Sequence, residues 1–298
     1  MQLQERLHRN LSPLFAGTFI FIAQLSAQTQ FLPFDHLALG PSQEVNYIYA
    51  IEQDREGFLW FGTLDGLVRY DGTNLRHYAA DSADQSGLLE RYLGGLAEDR
   101  FGNLWVASRN YLQVLGPDRE RFQTIPLPGS DSLLDHTWAK FAPRMLADRQ
   151  GEIWIRSRYG LIRVRPDSVP AQSSVEVIPV VAGPDGAPRR WAVFSLLEDE
   201  EGQLWAGTKK GLMRVDRDSG KLVPCHPTAN SPVISVLRLP DGRVLSGTQG
   251  AGIFVYDPAS RKVLHLPPDP GNPQGLADGI IRQIVQDGSG RVWLLAGA

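Results

Sequence analysis

Residues 54–72 read DREGFLWFGTLDGLVRYDG, and this phrase returns along the chain. Its core, Asp-x-x-Gly-x-Leu-Trp-x-Gly-Thr, recurs with variation from Asp99 to Ser108, from Asp148 to Ser157 and from Asp199 to Thr208. A fifth copy reads as shortened at its turn to Pro240-Asp241-Gly242, with Leu245 in the tryptophan position before Gly247-Thr248. A sixth runs Asp287-Gly288-Ser289-Gly290-Arg291-Val292-Trp293. The turn glycines Gly57, Gly102, Gly151, Gly202, Gly242 and Gly290 are 45, 49, 51, 40 and 48 residues apart. That period fits one four-stranded unit per copy.

The chemistry of the phrase agrees with the period. An Asp-x-x-Gly turn lets the carboxylate accept N–H groups inside the turn, while glycine supplies the positive φ that joins two antiparallel strands. After the turn Leu59, Phe61 and Thr63 alternate with Trp60 and Gly62, a period of two. A large ring beside a glycine suits a sheet packed face to face on its neighbour. Asp65-Gly66 opens a second turn into a third strand, Leu67 to Tyr70. Leu75 to Tyr78, Phe122 to Ile125 and Val263 to Leu266 read as fourth strands. The expected fold is all-β, a β-propeller of four-stranded blades with about six blades present in an incomplete seven-bladed ring. The blades centre on Trp60, Trp105, Trp154, Trp205, Leu245 and Trp293, and the recurrent tryptophans read as blade packing.

Of the 298 residues, 42% are hydrophobic and 21% charged, with 30 Gly and 21 Pro, a composition of folded chains rich in turns. A net charge of −3 gives no positive field to attract nucleic acid. A lone cysteine, Cys225, excludes an intrachain disulfide framework. Arg6 and Arg9 precede the mostly apolar stretch Leu11 to Leu25, and Ser26-Ala27 supplies small residues. Residues 1–27 therefore read as a signal peptide, residues 28–298 as the propeller, and the location as periplasmic or extracytoplasmic. The chain stops just after Trp293, so the last blade reads as truncated and the chain as a piece of a longer polypeptide, with Phe31 to Leu37 as a candidate outer strand.

The phrase from Asp54 to Gly72 resembles the two-component regulator propeller repeat, and the resemblance extends over nearly all of the mature chain. Asp269 to Leu276 is similar to that family's inter-blade linker. The resemblance implies the periplasmic sensor region of a hybrid two-component histidine kinase that senses glycan-derived ligands. Implied partners are downstream signalling domains or a second propeller, and a homodimer of the full-length protein.

If each inner strand enters before Asp-x-x-Gly, the second turns and inter-blade loops share the opposite face, and ligand-binding residues belong there. Candidates are Arg91, Tyr92, Arg109, Tyr111, Trp138, Arg158, Tyr159, Arg190, Trp191, Lys209 and Lys210. Rings stack on sugar faces and guanidinium groups fork to carboxylates, so an oligosaccharide or other small polar ligand fits. The six histidines show no metal-ligand spacing, and no Gly-x-Ser-x-Gly elbow, P-loop or dinucleotide fingerprint occurs. The repeated aspartates belong to their turns. Catalytic residues, metals and cofactors are therefore expected to be none. A propeller lyase or hydrolase and a protein-binding scaffold are the alternative functions.

Overall fold

The structure, a computed structural model, describes residues 37–128, 145–157, 160–178, 181–182, 188–189, 192–228 and 231–297. The signal segment, most of the Phe31 to Leu37 strand and the end at Ala298 lie outside them. The first blade is β1 (Ile48–Gln53), β2 (Leu59–Thr63), β3 (Gly66–Tyr70) and β4 (Leu75–Tyr78). The second is β5 (Leu93–Glu98), β6 (Leu104–Ser108), β7 (Leu112–Leu115) and β8 (Phe122–Ile125). The third is β9 (Met145–Ala147), β10 (Ile153–Ser157), β11 (Gly160–Arg165) and β12 (Ser174–Ile178), followed by the small hairpin β13 (Val181–Ala182) and β14 (Pro188–Arg189). β15 (Val193–Glu198), β16 (Leu204–Thr208), β17 (Gly211–Asp216) and β18 (Lys221–His226) form the fourth. β19 (Val233–Arg238), β20 (Val244–Thr248), β21 (Ile253–Asp257) and β22 (Lys262–Leu266) form the fifth, and β23 (Ile281–Gln286) with β24 (Val292–Ala296) begins a sixth.

Among the described residues there are thus five four-stranded sheets, each an antiparallel meander in sequence order. First strands of neighbouring blades pack on one another, β1 with β5, β5 with β9, β15 with β19 and β19 with β23, while β15 meets β10, so these strands form the inner edge of the blades. The architecture is the expected all-β propeller.

One hydrogen-bonding device builds the first hairpin in five of the six described blades. Asp54 Oδ1 accepts the N–H groups of Glu56 at 3.1 Å and Phe58 at 2.9 Å, and Gly57, at φ +92°, donates to the Asp54 carbonyl at 2.9 Å. The other carboxylate oxygen, Oδ2, accepts Nε1–H of Trp60 at 2.7 Å. Trp105 donates likewise to Asp99, Trp154 to Asp148, Trp205 to Asp199 and Trp293 to Asp287, at 2.7–2.8 Å. A charge-assisted bond of this kind contributes about 1.5–3 kcal/mol when buried.

The fifth blade corrects the sequence reading. Its turn is full length, because Gly242 donates to the carbonyl of Leu239, which stands where the other blades have aspartate. Leu239 and Leu245 replace both partners together and join one apolar cluster, so no polar atom is left unpaired.

The core lies between blades rather than within them. Trp60 clusters with Leu93 and Leu104 of the next blade, Trp105 with Ile153 and Ile155, Trp154 with Val193 and Leu204, and Trp205 with Val244 and Tyr256. Burying each indole removes 150–250 Å² from water, about 4–6 kcal/mol at 25 cal/mol per Å². Trp293 keeps its Asp287 bond but is 54% exposed, because no described blade follows to cover it. Glycine after tryptophan lets the next sheet close in. A Cβ on Gly207 would sit 2.5 Å from the carbonyl oxygen of Val233 and 2.1 Å from Ser195 Oγ.

Charged clamps tie two of the junctions on the Asp-turn side. Glu98 Oε2 accepts the N–H of Arg55 at 2.9 Å, and Arg119 lies 3.4 Å from Asp54 and 3.5 Å from Glu98, over the Trp60 ring. The third and fourth blades repeat this pattern. Arg149 N–H meets Glu198 at 3.0 Å, and Arg217 bridges Asp148 and Glu198 over Trp154. Removing Asp148 would take away the acceptor of the Trp154 indole and leave Arg217 to Glu198 at 3.0 Å and the more distant Glu152 at 3.6 Å. Asp148→Ala is therefore expected to cost about 3–5 kcal/mol in urea denaturation. Asp241→Ala, on an exposed turn without a tryptophan partner, is expected to leave the urea midpoint close to that of the wild type.

At the next junction His226 is buried between blades. It stacks on Phe254 with ring centroids 5.6 Å apart, lies 5.7 Å from Tyr256, and has Ser246 Oγ 3.4 Å from Nε2. Nδ1 is 3.2 Å from the Pro227 carbonyl, which fixes the neutral tautomer with its proton on Nδ1. Burial holds its pKa below the usual 6.5. Unfolded chains then bind the proton more readily, so this contribution to stability is complete above pH 6.5 and is lost as pH falls below it. The urea midpoint is expected to drop more between pH 7 and pH 5.5 in the wild type than in His226→Gln, and equal drops would refute that assignment.

Candidate functional site

Hydrogen bonds place the second turns and the inter-blade segments on one face. Gly66 N–H donates to the Arg91 carbonyl at 2.7 Å, Leu64 to Tyr47, Gln249 to Pro232, and both Gly250 and Gly252 to Gly279. The Asp-turns and outer turns occupy the opposite face, where Arg217 of an outer turn reaches the Gly202 carbonyl. Each blade of the repeat therefore offers one face of shared turn chemistry and one of individual side chains.

On the second-turn face, the junction of the first two blades gathers aromatic and cationic groups. Tyr49 meets Tyr92 edge to face, with centroids 4.8 Å apart at 70°, and the Arg109 guanidinium lies 5.7 Å from the Tyr92 ring centre. Arg91 pairs with Asp65 through Nε at 2.7 Å and Nη2 at 2.6 Å, while its side chain stays 64% exposed. Glu90 holds the neighbouring turn by accepting the N–H of Asn110 at 3.0 Å and its Nδ2 at 2.9 Å. A β-bulge turns Tyr49 into this group, since the β1–β2 register shifts between Ile48 and Ala50. The same shift recurs in β5, β15, β19 and β23. Two rings inclined at 70° with the Arg109 guanidinium beside one of them, and the exposed Arg91–Asp65 pair next to Tyr92 in sequence, offer stacking surface and charged donors, the chemistry of a polar, ring-bearing or acidic ligand.

Four sequence-predicted residues thus share this region: Arg91, Tyr92, Arg109 and Tyr111, the last on the Arg109 turn, where its N–H donates to Ser108 Oγ at 3.0 Å. Lys209 and Lys210 are exposed on the corresponding turn of the fourth blade, separate from that cluster in the order of blades. Trp138, Arg158, Tyr159, Arg190 and Trp191 lie outside the described residues. Sequence reasoning missed Tyr49, because a bulge is invisible in a period-two pattern. It also missed Arg156, which occupies the glycine position of the third blade, is fully buried and donates to the Phe194 carbonyl at the β15 bulge. The signal was present, since Trp154-Ile155-Arg156 departs from the Trp-x-Gly of the repeat.

Nearer the axis, Glu52 has its pKa raised by burial, with Glu98 as the neighbouring acid. The turn aspartates 54, 99, 148 and 199 are buried and spend their oxygens on turn N–H groups and tryptophans. Among the described residues no three His, Cys, Asp or Glu side chains gather as a metal would require.

These features define a β-propeller with an internally clamped face and a variable one. Residues 42–65 match the family described as Two component regulator propeller, so that segment is similar to one repeat of the family. No curated protein matches the chain. Among solved structures it is similar to the extracellular domain of BT4673 from B. thetaiotaomicron, assigned to a hybrid two component system, at 21% identity and TM-score 0.54. That match covers 83% of this chain and 36% of the other. The extracellular domain of BT3049 from the same organism, assigned likewise, matches at 19% identity and TM-score 0.52, covering 84% and 38%. Virginiamycin B lyase from Staphylococcus aureus matches at 13% identity and TM-score 0.57, covering 83% and 77%. The chain therefore spans less than two fifths of the two extracellular domains.

Proposed function

We propose that this chain is the extracytoplasmic ligand-sensing propeller module of a two-component signalling protein. In this reading the second-turn face receives a glycan-derived or other small polar ligand, and a histidine kinase elsewhere in the full-length protein receives the signal. The observation that carries the reading is the Tyr49, Tyr92, Arg91 and Arg109 cluster, gathered where each blade is free to differ from its neighbours. Likeness to extracellular domains assigned to two component systems supports it, as does the signal-like stretch before Ala27.

The reading is non-catalytic, because the repeated aspartates are committed to turns and indoles rather than directed into a cleft. Likeness to a lyase at 13% identity speaks for the fold alone.

Titration calorimetry with a panel of neutral and acidic oligosaccharides tests the proposal. At least one member is expected to bind, with Arg109→Ala and Tyr92→Ala each weakening it roughly tenfold while the melting temperature stays unchanged. Binding that both variants leave intact would move the site elsewhere, and no binding by any sugar would favour a protein-binding scaffold.

A further inference from the structure

Two blade junctions hold a guanidinium in corresponding places. Arg217 leaves the outer turn of the fourth blade, donates to the Gly202 carbonyl at 3.0 and 3.3 Å, and reaches Asp148, Gln150 and Glu198 while lying over Trp154. Arg119 serves the first junction in the same way, between Asp54 and Glu98 and over Trp60. Both side chains are nearly buried, with 14% and 7% exposure.

The junction of the fourth and fifth blades keeps the frame of this seat without its arginine. Outer turn 258–261 spans the paired residues Asp257 and Lys262, just as 217–220 spans Asp216 and Lys221. Arg261 at φ +56° takes the place of Gly220 at φ +62°, so the two turns correspond residue for residue. Pro258, which has no donor, therefore stands at the position of Arg217.

Where the arginine would run there is a cavity of 330 Å³ lined by Asp199, Glu201, Trp205, Gly242, Asp257 and Pro258. Asp199 corresponds to Asp148, Gly242 to Gly202 and Trp205 to Trp154. Glu201 replaces the neutral Gln150 and adds a charge. Two walls differ: Arg238 stands where the fourth blade has Glu198 and is held by Asp199 at 3.4 Å and by Glu201, and the neutral Gln203 stands where the third blade has Glu152, 3.6 Å from Arg217. The lining holds four carboxylates, of which Asp241 is paired with Arg243 at 2.6 Å, beside the two guanidinium groups of Arg214 and Arg238.

We propose that this cavity binds a guanidinium group supplied from outside the chain, either as a free guanidino compound or on an arginine side chain of a partner. Asp199 and Gly242 stand where Asp148 and Gly202 hold Arg217, Glu201 adds a carboxylate in place of Gln150, and the indole of Trp205 remains to cover a planar cation. This site lies on the Asp-turn face and does not depend on the sugar reading of the opposite face.

Titration calorimetry on the full chain at fixed ionic strength, with arginine amide and a blocked Gly-Arg-Gly tripeptide as probes, provides the test. Wild type is expected to give saturable binding above a sodium chloride control. Pro258→Arg, which supplies the chain's own guanidinium, is expected to abolish it, and Glu201→Gln to weaken it about threefold. Binding of arginine amide alone assigns a free compound, and equal or tighter binding of the tripeptide assigns a partner's side chain. Saturable binding that persists unchanged in Pro258→Arg overturns the proposal, as does the absence of binding by both probes. Should Pro258→Arg fail to fold, a Glu201→Gln response equal to wild type overturns it independently.

Discussion

Each blade with an Asp–Trp pair depends on a single buried carboxylate used twice. One oxygen closes the turn by accepting two backbone N–H groups, and the other fixes the indole of the next strand. The turn thereby aims the ring, and the ring is the largest side chain in the junction with the following blade. Local hairpin geometry and inter-blade packing are thus set by the same atoms. A propeller built this way is specified junction by junction, because each blade completes its core only against its neighbour.

The exceptions obey the same physics. In the fifth blade the acceptor and the donor are both exchanged for leucine, which avoids an orphaned polar group and keeps an apolar contact. Charge reversal at the fourth junction is similar in kind: Arg238 stands in for a glutamate, and Asp199 and Glu201 supply the opposite charge. Complementarity at each junction outlasts the identity of the residues that provide it.

Such clamping divides the two faces by role. Turns on the Asp side are tied by carboxylates, arginines and indoles, so their side chains are largely committed. On the other side backbone hydrogen bonds lace the second turns to the linkers, so the turn is held whatever side chain it carries. Sensing by such a face would use a rigid frame and a variable surface, the arrangement that suits binding residues carried on turns.

The repeat was legible in the sequence because turn glycines, alternating apolar residues and tryptophans are local properties with a fixed spacing. Blade count among the described residues, strand order and the face carrying variable residues all followed from it. Neither the true length of the fifth turn nor the role of Leu239 could be read, since a leucine in an aspartate position looks like a missing turn until its backbone hydrogen bonds are seen. The meeting of Tyr49 with Tyr92 and Arg109 depends on a bulge and on the approach of two blades, and the place of Arg156 depends on the strand beyond it. Sequence alone determined the repeating unit, because its interactions span a few residues. Tertiary structure decided which side chains meet, because those contacts cross blade junctions about forty residues or more apart in the chain, where no local pattern records them.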